Sequence, residues 1–279
     1  MIAALLSADA LPLMLGAIIG LILALTGAGG GILAVPLLVF ALHLPLQQAA
    51  PTALLAVGLS ALLGAGLAHR DGLLRYRAAA MIGVAGVLTA PLGVALAHRL
   101  PDRPLLAAFA LVLGYASLRT WRSAAPRAAD VARVELPPLP CVINPGEGRL
   151  RWTLPCARAL AGIGALAGVL SGLLGVGGGF VIVPALRRYT DIAQHSVVAT
   201  SLGVIALVSA GGVVSATVVG SLPWALALPF AIGALLGLLL GRRLASRLPG
   251  PRLQQAFAIV GGLVMMLLLA RAGGILPTT

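Results

Sequence analysis

Apolar residues fall into long runs separated by short polar loops, in a pattern that occurs twice along the chain. The first run covers 11–42 and is interrupted by Gly27-Ala28-Gly29-Gly30-Gly31, which leaves apolar arms at 11–26 and 32–42. Further runs follow at about 46–68, 78–97 and 105–118. Residues 119–158 then carry seven arginines, Asp130, Glu135, Glu147 and the cluster Pro137-Pro138-Leu139-Pro140. That composition predicts an irregular linker outside the membrane. A second set begins at 159–174, is interrupted by Gly175-Val176-Gly177-Gly178-Gly179, resumes at 180–186, and continues at about 197–219, 223–240 and 253–269. Pro184 lies 148 residues after Pro36, and the same offset pairs Gly16 with Gly164, Thr52 with Thr200, Gly72 with Gly220, Pro101 with Pro249 and Phe109 with Phe257. The pattern predicts an all-α polytopic membrane protein made of two homologous repeats of four hydrophobic segments, eight in all. The first transmembrane repeat is 11–118, a cytoplasmic linker is 119–158, and the second transmembrane repeat is 159–271. Residues 1–10 read as a short lead without the basic region of a cleavable signal.

The glycine-broken segment of each repeat has two readings. It crosses the membrane once as a broken helix, or it enters and returns as a re-entrant hairpin. Single crossings put 11 arginines on one side and 8 on the other, whereas re-entrant hairpins put 16 on one side and 3 on the other. The positive-inside rule favours the second split. Hairpins also leave three true crossings per repeat, so the two copies point in opposite directions, the inverted-repeat plan of many transporters. The arms 11–26 and 32–42 are both short for a span at about 1.5 Å per residue, which agrees.

Composition sharpens the class. Of 279 residues, 60% are hydrophobic and only 9% charged, against roughly 25% in soluble domains. The net charge of +12 comes from arginines lying between apolar runs, so it sets orientation and gives no reason to expect nucleic acid. The two cysteines, Cys141 and Cys156, are too few and too closely spaced for a disulfide framework or a metal site, and read as free cytosolic thiols.

No Asp, Glu or Arg lies in the middle of an apolar run. Buried charge usually marks ion and proton pathways, so its absence argues against a carboxylate-based pump. It also leaves no acid–base pair for a membrane enzyme, and nothing calls for a catalytic residue, metal or cofactor. Glycines spaced by four, at 16/20, 164/168 and 233/237/241, read as helix-packing contacts. The consecutive glycines read differently, because unwound backbone at membrane depth is tolerated only inside protein or beside a cavity. Free N–H groups at the start of the following half-helix carry partial positive charge and suit an anion. Candidate substrate-binding residues are therefore Gly29, Gly30, Gly31, Gly177, Gly178 and Gly179. Thr52, Thr200 and Ser201 join them at matched positions, as ligands or as hydroxyls bonded to the preceding turn. His195 is a candidate for coupling, or simply an interfacial histidine.

The pattern Gly20-x6-Gly27-x-Gly29-Gly30-Gly31-x4-Pro36, then Thr52, Gly72 and Gly93-x3-Ala97-x2-Leu100-Pro101, recurs 148 residues later. The later version includes Ala199-Thr200-Ser201-Leu202, Gly220-x3-Trp224 and Gly241-x3-Ala245-x2-Leu248-Pro249. In this the chain resembles the sulfite exporter TauE/SafE family of membrane transporters over nearly its whole length. The resemblance implies transport of a small sulfur oxyanion or organosulfonate, of the sulfite or sulfoacetate type, across the bacterial inner (plasma) membrane. The first copy has Pro51-Thr52-Ala53 where the second has Ala199-Thr200-Ser201, so a shared role for Ser201 does not follow. The implied partners are a small anionic substrate, the lipid bilayer and, as an open option, a second copy in a homodimer. A rival reading is a membrane scaffold whose 119–158 linker docks a cytosolic protein.

Overall fold

The computed structural model describes residues 2–26, 31–124, 141, 143–144, 149–150, 153–245 and 250–273. Gly29, Gly30 and most of the linker, including Asp130, Glu135, Glu147 and the proline cluster, lie outside these. Ten α-helices make up nearly all of the described chain: α1 (Ile2–Thr26), α2 (Ala34–Ala41), α3 (Leu46–Arg70), α4 (Tyr76–Arg99), α5 (Asp102–Ala124), α6 (Leu154–Leu174), α7 (Gly179–Tyr189), α8 (Gln194–Val219), α9 (Trp224–Ala245) and α10 (Gly250–Ala272). A two-residue antiparallel ribbon, β1 (Ile143–Asn144) with β2 (Arg149–Leu150), sits in the linker. Among the described residues, α3, α4, α5, α6, α8 and α9 are long and apolar enough to cross a bilayer. Their outward faces carry large apolar side chains such as Leu88, Leu92, Leu111 and Val218, as expected where the surrounding medium is lipid.

The second repeat does not run through its glycine cluster as unbroken helix, and in the first the described helix α1 ends at Thr26 and α2 begins at Ala34. The arms are unequal, however. At about 1.5 Å per residue, the 25 residues of α1 reach about 37 Å, though its apolar part is only Ala10–Leu25, and the 21 of α6 about 31 Å, enough to span. Only the return arms, α2 with 8 residues and α7 with 11, are short. Two sequence expectations are thereby corrected. The stretch 2–10 continues α1 and is no separate lead, and α6 starts five residues before 159 because Thr153 caps it, its hydroxyl accepting from the Cys156 N–H at 3.3 Å.

Glycines choose which helices meet. A Cβ added at Gly16 would collide with the Phe230 carbonyl, one at Gly20 with that of Ala234, and ones at Gly233 and Gly237 with those of Leu13 and Ala17. Residue numbers rise together along this contact, so α1 and α9 are parallel with their backbones in direct touch. The pair α4 and α6 is built the same way, with Gly164 on Ile82, Gly168 on Gly86 and Gly172 on Ala90. Thr89 adds a hydrogen bond across it, its hydroxyl donating to the Ala165 carbonyl at 2.9 Å. The spacing-of-four glycines are thus packing contacts, as expected where lipid supplies no hydrophobic drive between helices. Helix α8 also runs parallel to α4, with Leu207 on Gly83 and Val87 on Gly211. It runs antiparallel to α3, with Leu54 on Gly212, Gly58 on Ser209 and Gly64 on Leu202.

The directions of α4, α6 and α8 fix what α7 must do. Helices α6 and α8 both run parallel to α4, so the chain between them has to travel back. Cys141 marks the point of return: it is disulfide-bonded to Cys156 at the start of α6, and its N–H donates to the carbonyl of Tyr189 at the end of α7 at 3.3 Å. The expectation of free thiols is corrected by this bridge. The two cysteines lie fifteen positions apart, with the β1–β2 ribbon between them, and their sulfurs meet.

Candidate functional site

The second glycine break is a turn built on left-handed backbone. Helix α6 stops where Gly175 adopts φ +71° and donates to the Ser171 carbonyl at 2.8 Å. Gly177 and Gly178 also have φ +71°, a conformation costing other L-residues roughly 1–2 kcal/mol each. Helix α7 then starts at Gly179, with the Val181 and Ile182 N–H groups both donating to the Gly178 carbonyl. The N–H groups of Gly179 and Phe180 head this helix, with no earlier turn of α7 to accept from them. All of Gly175–Gly179 are buried.

The break sits at mid-height between α3 and α8. The Cβ position of Gly177 lies 3.0 Å from Ile205 Cγ2, 3.4 Å from Ser209 Oγ and 3.4 Å from Val57 Cγ1. Val57 and Ile205 are themselves partners under the 148-residue offset and lie near the middle of their helices. Gly31, the last glycine of the first break, places its Cβ position 3.0 Å from Val57 Cγ1 and 3.6 Å from the Val176 carbonyl oxygen. The two breaks therefore share one central region walled by Val57 and Ile205. Gly178 faces back onto Ala167 of α6, and Gly175 abuts the Ala50 backbone near the start of α3.

Hydroxyls supply the side-chain polarity here; among the described residues no charged side chain is buried. Thr52, Thr200 and Ser201 are fully buried, but each hydroxyl already has a backbone partner. Thr52 donates to the Gln48 carbonyl at 2.8 Å and Ser201 to the Val198 carbonyl at 2.8 Å. Thr200 accepts from the Arg75 N–H at 3.2 Å, near the α3–α4 loop. His195 is exposed in the first turn of α8, away from the breaks. Of the residues singled out in the sequence, the structure brings together Gly31, Gly177, Gly178 and Gly179; Gly29 and Gly30 fall outside the described residues.

Two hydroxyls that the repeat pattern passes over are placed differently. Ser209, 1% exposed and beside Gly177, and Ser171, 0% exposed and one turn before Gly175, have no hydrogen-bond partner for Oγ. Ser171 lines a cavity with Gly175, Ala50, Gln47 and His98, holding about 20 Å³ for a water-sized centre, room for about one water. The offset would have found both, since Ser171 stands where the first copy has Leu23 and Ser209 where it has Ala61. A search for what repeats misses what departs from the repeat.

Comparison with known proteins places this arrangement. A family model described as sulfite exporter TauE/SafE matches residues 12–268. A probable membrane transporter protein of Xylella fastidiosa (strain Temecula1) is 29% identical over 254 residues, covering 88% of each chain. Its counterpart in Xylella fastidiosa (strain 9a5c) is 27% identical over 252 residues, also covering 88% of each. The probable membrane transporter protein YdhB of Bacillus subtilis (strain 168) is 24% identical over 253 residues, covering 90% of this chain and 96% of its own. No solved structure matches. The chain is an integral membrane protein that belongs to the sulfite exporter TauE/SafE family, and so a membrane transporter and no enzyme.

Proposed function

We propose that the chain carries a small anion, a sulfur oxyanion or organosulfonate of the sulfite or sulfoacetate type, through the region where its two glycine breaks meet. The observation that carries this is the approach of Gly31 to the Val176 carbonyl at mid-height of the α3–α8 pair, in a core with no buried charge among the described residues. Partial positive charge at the head of α7 then replaces a cationic side chain, as helix termini do at anion sites. The substrate-binding set is Gly29, Gly30, Gly31, Gly177, Gly178 and Gly179, with Thr52, Thr200 and Ser201 behind them once their hydroxyls turn from their present partners.

In this reading α1–α2 and α6–α7 are re-entrant hairpins and the copies are inverted repeats. The return of α7 to the start of α6 supports the first, and the antiparallel run of the equivalent helices α3 and α8 supports the second. Access alternates as one repeat rocks against the other about the shared centre. The 16-to-3 arginine split puts the linker side in the cytoplasm of a bacterial inner membrane. The Cys141–Cys156 bridge pulls the other way, because disulfides persist in oxidising compartments. The transport reading is tested with the full chain in proteoliposomes. Uptake of labelled sulfite or sulfoacetate above that of protein-free vesicles is expected, and equal uptake in both would overturn it.

A further inference from the structure

The two breaks match in sequence and differ in the polarity of their flanks. Flanking the second are Ser171 on α6 and Ser209 on α8, both buried and both without a partner for Oγ. At the equivalent places the first has Leu23 and Ala61, which donate nothing. Ser60, another buried hydroxyl without a partner, does not restore the balance. Its counterpart under the offset is Val208, whose side chain lies against Gly86 of α4.

A buried hydroxyl without a partner is costly relative to one that is satisfied. Serine also has an inexpensive escape in a helix, donating to the carbonyl three or four residues back, as Thr52, Ser201 and Ser215 do here. Ser171 and Ser209 do not take it. Ser209 Oγ instead lies 3.4 Å from the Cβ positions of both Gly177 and Gly58, between the second break and α3, and Ser171 lines the cavity under Gly175. Ser209 beside Gly177 and Ser171 under Gly175 thus set two free hydroxyl protons next to the turn that leads into α7, and an anion is what such donors satisfy. A hydrogen bond to a charged acceptor is about twice as strong as a neutral one, so few donors suffice.

We infer that the two copies are functionally unequal: the anion is held at the second break, with Ser209 at the centre and Ser171 in the cavity below Gly175 as side-chain ligands, while Leu23 and Ala61 at the equivalent places of the first copy offer no donor. This rests on the reading of the chain as an anion transporter and adds to it which copy binds and through which groups. The cavity lies between the start of α3 and the ends of α4, α6 and α8, at the face away from the linker. It is the approach to the site from that face.

The test measures binding and stability together in the purified full chain. Sulfite and sulfoacetate are titrated calorimetrically against wild type, Ser209→Ala, Ser171→Ala and, as a control, Ser117→Ala. Ser117 is equally buried and without a partner, but lies against Gly261 between α5 and α10, far from the breaks. Expected is a tenfold or greater loss of affinity in Ser209→Ala and Ser171→Ala, with none in Ser117→Ala. The thermal midpoint without ligand should stay level or rise in all three, because each loses only an unsatisfied hydroxyl. Wild-type affinity in both Ser209→Ala and Ser171→Ala, in a protein that does bind the anion, overturns this inference and leaves the transport reading standing. Failure of wild type to bind either anion removes both.

Discussion

The carbonyl oxygen of Val176 lies 3.6 Å from where a Cβ on Gly31 would stand, so residues 145 positions apart close one shared space. Val57 completes the contact by touching both breaks. Backbone conformation and close approach coincide there, and they can be separated by substitution.

Gly177 and Gly220 have nearly the same backbone, φ +71° and +75°, yet Gly177 is enclosed by Ile205, Ser209 and Val57 whereas nothing lies within 4 Å of Gly220. Alanine at either position costs roughly 1–2 kcal/mol of backbone strain. Gly220→Ala should lower the melting temperature and leave anion flux per folded molecule unchanged. Gly177→Ala should lower both. Equal flux in the two variants would show that the second break needs only its fold.

Helix α6 offers a second comparison. A side chain at Gly168 would run into the Gly86 carbonyl of α4, while Gly162 faces outward with nothing within 4 Å. Gly168→Ile should destabilise the protein by about 1–3 kcal/mol or more through overpacking, and Gly162→Ile should be neutral on a lipid-facing surface. Thermal unfolding in detergent reads the difference.

The hairpin reading makes a statement about sides. In a chain with Cys141 and Cys156 replaced by serine, His43→Cys and Asp191→Cys should react with an impermeant maleimide from opposite faces of the membrane, Asp191→Cys from the linker face. Labelling of Asp191→Cys from the same face as His43→Cys would mean that the second segment crosses once, and would return the arginine count to 11 against 8.

The bridge between Cys141 and Cys156 accounts for every cysteine in the chain. Unfolded in detergent, the protein should take up no maleimide-linked polymer before reduction and two per chain after it. A gel shift without reductant would mean free thiols, as the spacing alone had suggested. Removing the bridge should also speed proteolysis of the linker, because a loop of this length contributes about 3 kcal/mol to ordering its ends.

The sequence alone determined the membrane class, the position where α6 stops and the glycines by which helices pack. These are local properties: runs of apolar residues enter lipid, consecutive glycines do not continue a helix, and small residues four apart make a flat face. Only the tertiary structure decided which faces meet, since Gly16 and Gly20 announce a contact without naming α9 as its partner. It also decided that α1 and α6 are long arms with short returns, and that two cysteines fifteen apart are joined. The hydroxyls divide the same way. Thr52 and Thr200 are in register in the sequence, yet neighbours already satisfy them, whereas Ser171 and Ser209, whose counterparts are Leu23 and Ala61, are left free. Whether a buried hydroxyl has a partner depends on atoms brought from distant parts of the chain, and no local pattern carries that information.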